Sequence, residues 1–113
     1  MPYSVYVIEL SKKVFSENKK FREANPQFNG ILECLYVGMT SISPEKRFEQ
    51  HINGHISKKG IDISSSLVKK YGLYLRPSLY RHFNPIKTKK EAIELEKNLA
   101  LTLIRKRYAV WFN

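Results

Sequence analysis

Residues 3–10, YSVYVIEL, are crowded with β-branched and aromatic side chains, the composition of a strand. Residues 32–38, LECLYVG, repeat that pattern and predict a second strand that pairs antiparallel with the first. Residues 11–30 between them are polar and charged, contain Asn25-Pro26 and end in Asn29-Gly30. They read as one long connection with a helical turn near residues 12–15, which makes the two strands a hairpin with an oversized loop.

Beyond the hairpin the punctuation favours helices. Ser43-Pro44 is a helix start, because the hydroxyl accepts a first-turn N–H and proline has no N–H to leave unpaired there. That helix is expected to run to about Asn53 and stop at Gly54. A short helix over residues 65–71 would end with Gly72 as a left-handed cap, and residues 77–83 would form a third strand closed by Asn84-Pro85. Thr88-Lys89-Lys90-Glu91 is a capping box that opens the longest helix, to about Arg107, where Arg105, Lys106 and Arg107 suit the negative end of its dipole. Residues 109–112 could add a terminal edge strand. No repeat or low-complexity tract interrupts the chain, so residues 1–113 read as one domain of the α/β (α+β) class.

The 113 residues include 20 basic and 10 acidic ones, a formal charge of +10, with 42% apolar residues. A chain of this size buries roughly two thirds of its unfolded surface, so it can fill one core. Its apolar runs are far too short to cross a bilayer, and it opens with no secretory leader, so the expectation is a cytoplasmic protein with no membrane partner. The single Cys34 excludes an internal disulfide and a thiolate metal cage, leaving oxygen or imidazole ligands for any metal.

The charge is concentrated. Residues 58–90 hold Lys58, Lys59, Lys69, Lys70, Arg76, Arg81, Lys87, Lys89 and Lys90 against Asp62 alone, which is +8 of the +10. Such a block among Tyr71, Tyr74, Tyr80 and Phe83 suits a polyanion, since bases displace counterions from phosphates while aromatics stack or pack below. The plain alternative is a solubilising face.

Glu96 is the most informative single residue. At about 100° per residue, Ala92, Leu99, Ala100 and Leu103 form an apolar stripe, and Glu96 falls near its middle. A carboxylate facing a core is costly unless something satisfies it. It either snorkels or pairs with a core arginine, or it is a ligand for a hard divalent cation.

Arg47 and His51 lie four apart on one helix face, with Phe48 and Ile52 on its apolar neighbour. Beside a phosphate they would supply a guanidinium fork and an imidazole for hydrogen bonding or proton transfer, although such pairs also occur on ordinary surfaces. His55 and His82 have no comparable partner. Tyr6 and Tyr36, inside the paired strands, are either packing residues or phenols that orient or deprotonate a water, and a phenol near pKa ~10 needs help to do so at neutral pH. Gly38 permits a close backbone approach or a turn with positive φ.

Together these features resemble the GIY-YIG nuclease family. The resemblance is carried by Ser4-Val5-Tyr6, by Tyr36-Val37-Gly38, by Met39-Thr40 leading to Arg47 and His51, and by Glu91, Ala92, Leu95, Glu96 and Leu99 on the long helix. It implies a three-stranded antiparallel sheet flanked by helices and a metal-dependent endonuclease that cuts phosphodiesters, usually of DNA, with RNA left open. It implies that Tyr6 and Tyr36 position or activate the attacking water, Arg47 stabilises the phosphate, His51 matches the histidine after that arginine, and Glu96 holds a single Mg²⁺ or Mn²⁺. Asn113 is the terminal candidate for the family's late asparagine. Lys58, Lys59, Lys69, Lys70, Arg76 and Arg81 would hold the flanking strand. Ser4 stands where the first signature glycine is expected, the 11–30 connection is longer than in many members, and Met39 replaces a base. The competing readings are a non-catalytic nucleic-acid-binding module on the same fold and a protein-interaction domain. A partner subunit or homodimer would be expected to supply sequence specificity.

Overall fold

The computed structural model describes residues 2–54 and 66–112. The two strands of the hairpin are β1 (Ser4–Leu10) and β2 (Cys34–Thr40), paired antiparallel from Ser4 opposite Thr40 to Leu10 opposite Cys34. Val5, Val7, Leu35 and Val37 are fully buried along with Tyr6 and Ile8, so both faces of this ribbon are covered. That explains why the two segments read as nearly continuous apolar runs instead of alternating ones.

The 11–30 connection is folded, not open. It forms two short helices, α1 (Lys13–Glu17) and α2 (Lys19–Ala24). The Asn18 side chain accepts a hydrogen bond from the Phe21 N–H at 2.9 Å and so caps α2. Val14 and Phe21 are buried, and Phe15 packs on Phe28 with centroids 4.9 Å apart. Asn25, itself buried, donates to the Phe21 carbonyl at 2.8 Å and accepts the Val110 N–H at 2.7 Å. One amide thus ties the end of α2 to the far edge of the sheet.

After β2 come α3 (Pro44–Asn53), α4 (Ser66–Tyr71), β3 (Gly72–Leu75), two 3₁₀ turns (Pro77–Leu79 and Arg81–Phe83), α5 (Lys89–Arg105) and β4 (Ala109–Phe112). The sheet has four strands in the order β3-β1-β2-β4 and is mixed. The resemblance implies three antiparallel strands, and the structure corrects it. β4 runs parallel to β2 because the chain returns to that edge through α5, which packs on both strands, as a parallel neighbour requires a crossover.

The third strand is also displaced from its expected place. Residues 77–83 form the two 3₁₀ turns, and β3 occupies the preceding Gly72–Leu75. Gly72 is no left-handed cap. A Cβ there would meet the Val68 carbonyl oxygen at 2.5 Å, so glycine is needed where α4 passes directly into strand.

Because β3 covers only the end of β1, the beginning of β1 needs another partner. Asn84 supplies it: its Oδ1 accepts the Val5 N–H and its Nδ2 donates to the Val5 carbonyl, both at 2.9 Å. Two residues on, Tyr3 and Ile86 exchange backbone hydrogen bonds of 2.7 and 2.8 Å. Thr88 then accepts the Glu91 N–H at 3.1 Å and starts α5. The 84–88 segment therefore fixes α5 relative to the strand that carries Tyr6.

Candidate active site

The strand register creates the centre of the site. Tyr6 stands opposite Gly38 and Ile8 opposite Tyr36, so both phenols project from one face as diagonal neighbours, with ring centroids 6.2 Å apart. A Cβ on Gly38 would come within 2.5 Å of the Tyr6 Oη. Gly38 lies inside β2 without a positive φ, so of the two roles open to it the close approach is the one realised.

α3 brings His51 over these rings. Ser43 accepts the Lys46 N–H at 3.2 Å, Pro44 opens the first turn, and Gly54 closes the helix with φ 67°. His51 is 1% exposed, and its Nε2 is 2.9 Å from the Tyr6 Oη. Its ring also meets Tyr36 edge-on at 5.6 Å. One turn earlier, Arg47 donates to the Gln50 Oε1 at 3.0 Å.

Glu96 comes from α5 and is 5% exposed, facing inward as its place in the apolar stripe predicts. It takes part in none of the ion pairs among the described residues, and burial raises its pKa to about 7. The Tyr6 phenol is pushed well above its ordinary pKa, first by burial and then by Tyr36 and Glu96, while Arg47 pulls in the opposite direction. Residues of three elements, β2, α3 and α5, thus lie near enough to this β1 hydroxyl to bear on its proton.

Among the described residues, no group of three His, Cys, Asp or Glu side chains is clustered for a metal. The donor set is one buried carboxylate, which fits an oxygen-seeking cation that completes its shell with water and phosphate oxygens. It does not fit a closed Cys/His site.

A cleft of about 460 Å³ runs past Arg47, between the end of β2 and the start of α5. Tyr3, Met39, Thr40, Ser41, Ile42, Gln50 and Lys89 complete its walls. Gln50 and Asn84 were not singled out in the sequence. The i, i+3 spacing of Gln50 from Arg47 was the available signal for the first, whereas Asn84 read only as part of a turn.

Four of the six expected strand-holding bases, Lys69, Lys70, Arg76 and Arg81, are among the described residues. Arg76 is bound to Glu9 at 2.8 Å and Glu33 at 3.4 Å, so its charge is matched within the fold. Lys70 lies 5.3 Å from the Tyr71 ring centroid, and Lys69 and Arg81 are exposed. Lys58, Lys59, His55 and Asn113 lie outside the described residues.

Comparison with known families identifies the fold. The model of the GIY-YIG catalytic domain matches residues 3–109, nearly the whole chain. The chain belongs to the GIY-YIG family. A search of the curated proteins finds no match, and neither does a search of the solved structures. The GIY-YIG domain is an endonuclease fold, so nucleic acid is the substrate class. The match begins at Tyr3, ahead of Ser4-Val5-Tyr6, so a serine at the first signature glycine is compatible with membership. Among the described residues no helix is long and apolar enough to cross a membrane.

Proposed function

We propose that this domain is a metal-dependent endonuclease that hydrolyses DNA phosphodiester bonds at the Tyr6–His51–Arg47–Glu96 centre. The observation that supports it best is the convergence on the Tyr6 hydroxyl, which is hydrogen-bonded to His51 and feels Tyr36, Arg47 and Glu96 together.

The reaction needs a deprotonated nucleophile and compensation for charge that builds on the phosphoryl oxygens. Free phenolate is a poor candidate for the base, since burial holds the Tyr6 proton on. A relay avoids that ion. With His51 protonated on Nδ1, the Tyr6 O–H donates to Nε2, and as a water proton moves to the Tyr6 Oη the phenol proton moves to His51. Tyr36 walls the other side and orients the water. Arg47, at the cleft wall, meets the scissile phosphate and its developing charge. Glu96 would hold Mg²⁺ or Mn²⁺, which when bound offsets phosphoryl charge and supports the leaving oxygen.

The test is nicking of supercoiled plasmid with and without Mg²⁺, by the wild type, Glu96→Ala and Arg47→Ala. Cleavage only by the wild type with metal supports the reading. Cleavage that survives both substitutions overturns the assignment of residues. Salt-sensitive DNA binding with no cleavage by any protein, on duplex, branched or single-stranded DNA, would leave a binding module.

A further inference from the structure

The cleft beside Arg47 has two kinds of wall. Arg47 and Lys89 are cationic, Gln50 can donate and accept, and Tyr3, Met39 and Ile42 are apolar or aromatic. Phosphate oxygens only accept hydrogen bonds and carry charge, so the apolar side of the cleft offers them no partner. Yet Ile42 keeps 38% of its surface exposed there, an aliphatic side chain held at the mouth of a basic site. The volume of about 460 Å³ is in the range of small-molecule sites and far exceeds a phosphate group.

Taking the nuclease reading as its basis, we infer that this cleft holds one unstacked nucleotide of the cut DNA strand, next to the scissile phosphate. Its base lies against Tyr3, Met39 and Ile42, Gln50 faces its polar edge, and Arg47 and Lys89 face the phosphates on either side. Paired duplex cannot fill the cleft without extruding a base, which costs unstacking and unpairing energy that a bulged, frayed or single-stranded substrate does not incur. The domain therefore prefers DNA with an unpaired nucleotide at the cut.

Fluorescence anisotropy with Glu96→Gln protein in EDTA, which prevents cleavage, compares three labelled DNAs: paired duplex, the same duplex with one unpaired nucleotide, and the single strand. The expected result is binding of the two unpaired probes at least tenfold tighter than the paired one. Added to that background, Tyr3→Ala should weaken binding of the unpaired probes about 5- to 150-fold, the size of one base–aromatic stack, and leave the paired duplex unchanged. Ile42→Ser, at the partly exposed rim, should lose part of the same preference. Lys89→Ala should weaken all three alike and lower the slope of log K against log salt by about one. Equal affinity of the parent protein for paired and unpaired probes overturns the inference, as does an equal loss on all probes in Tyr3→Ala and Ile42→Ser. Failure to bind any of the three removes the nuclease reading itself.

Discussion

The Tyr6 hydroxyl and the His51 Nε2 are 2.9 Å apart, and each residue keeps 1% of its surface exposed. In the proposed relay, this contact gives a phenol whose proton is otherwise held tightly a place to send it. Tyr6→Phe and His51→Gln should each lower kcat by about 10²- to 10⁴-fold, the range of one general acid–base group, with little change in DNA affinity. The proposed relay makes the two one unit, so the double variant should be scarcely slower than either single one. Single-turnover cleavage of a labelled oligonucleotide measures this, and multiplicative losses would mean the two act separately.

Gly38 faces Tyr6 across the strand pair with no room for a methyl group. Gly38→Ala must push the Tyr6 ring off His51, as the backbone of a central strand cannot yield. The expected cost is about 1 to 3 kcal/mol of stability, as for other overpacked cores, with a loss of activity near that of Tyr6→Phe. Urea unfolding combined with the nicking assay reads both. A protein of normal stability and activity would show that the ring has another place to go.

Glu96 links stability to pH. Its carboxyl titrates near 7 in the fold against 4.5 ordinarily, so the native state binds the extra proton between those values. The Glu96 contribution to stability is then greatest below about pH 4.5 and falls as pH rises towards 7, by at most on the order of 3 kcal/mol. Glu96→Gln should flatten this fall and be the more stable protein at pH 8. Mg²⁺, which requires the ionised carboxylate, should raise Tm at pH 8 and not at pH 5. Thermal melts at the two pH values, with Mg²⁺ or EDTA, check it.

Tyr80 is 3% exposed, and its hydroxyl has no hydrogen-bond partner among the described residues. Its pKa is pushed up to about 12 by burial and, less, by Glu45. A buried hydroxyl left unpaired costs roughly 1 to 3 kcal/mol, so Tyr80→Phe should be neutral or stabilising by about 1 kcal/mol. Destabilisation in urea melts would reveal a partner for the phenol.

The candidate site's side chains were legible because their signals are local. Glu96 breaks an apolar stripe, Arg47 and His51 share a helical face, and Ser43-Pro44 and Thr88-Glu91 mark the helices that carry them. What escaped the sequence depends on contacts far apart in the chain. The helical turn expected near residues 12–15 is α1, but α2 looks like polar loop because it is too short for a periodicity, and Asn25 finds its partner 85 residues away in Val110. Gly72 has the composition of a stop signal and acts through a close contact instead. The parallel placement of β4 has no signature in four residues. Residues 77–83 have strand composition, but Pro77 and the turn to α5 leave them no ladder to join.

Asn84 is the remaining long-range device, and it bears directly on the site. Its amide stands in for a neighbouring strand at Val5, one residue before Tyr6, on the side that β3 does not reach. Asn84→Ala removes both hydrogen bonds and leaves the Val5 backbone groups partly shielded from water, so it should cost about 2 kcal/mol. Asn84→Asp keeps the acceptor for the Val5 N–H but sets a carboxylate oxygen against the Val5 carbonyl, and should be no better than alanine above pH 5. Below pH 4 the protonated acid can donate, and the aspartate variant should regain part of the loss that the alanine variant retains. Urea melts of the two variants at pH 3.5 and pH 7 separate these outcomes. A pH-independent gap between them would mean that Asn84 fills space beside β1 and does not pair with it.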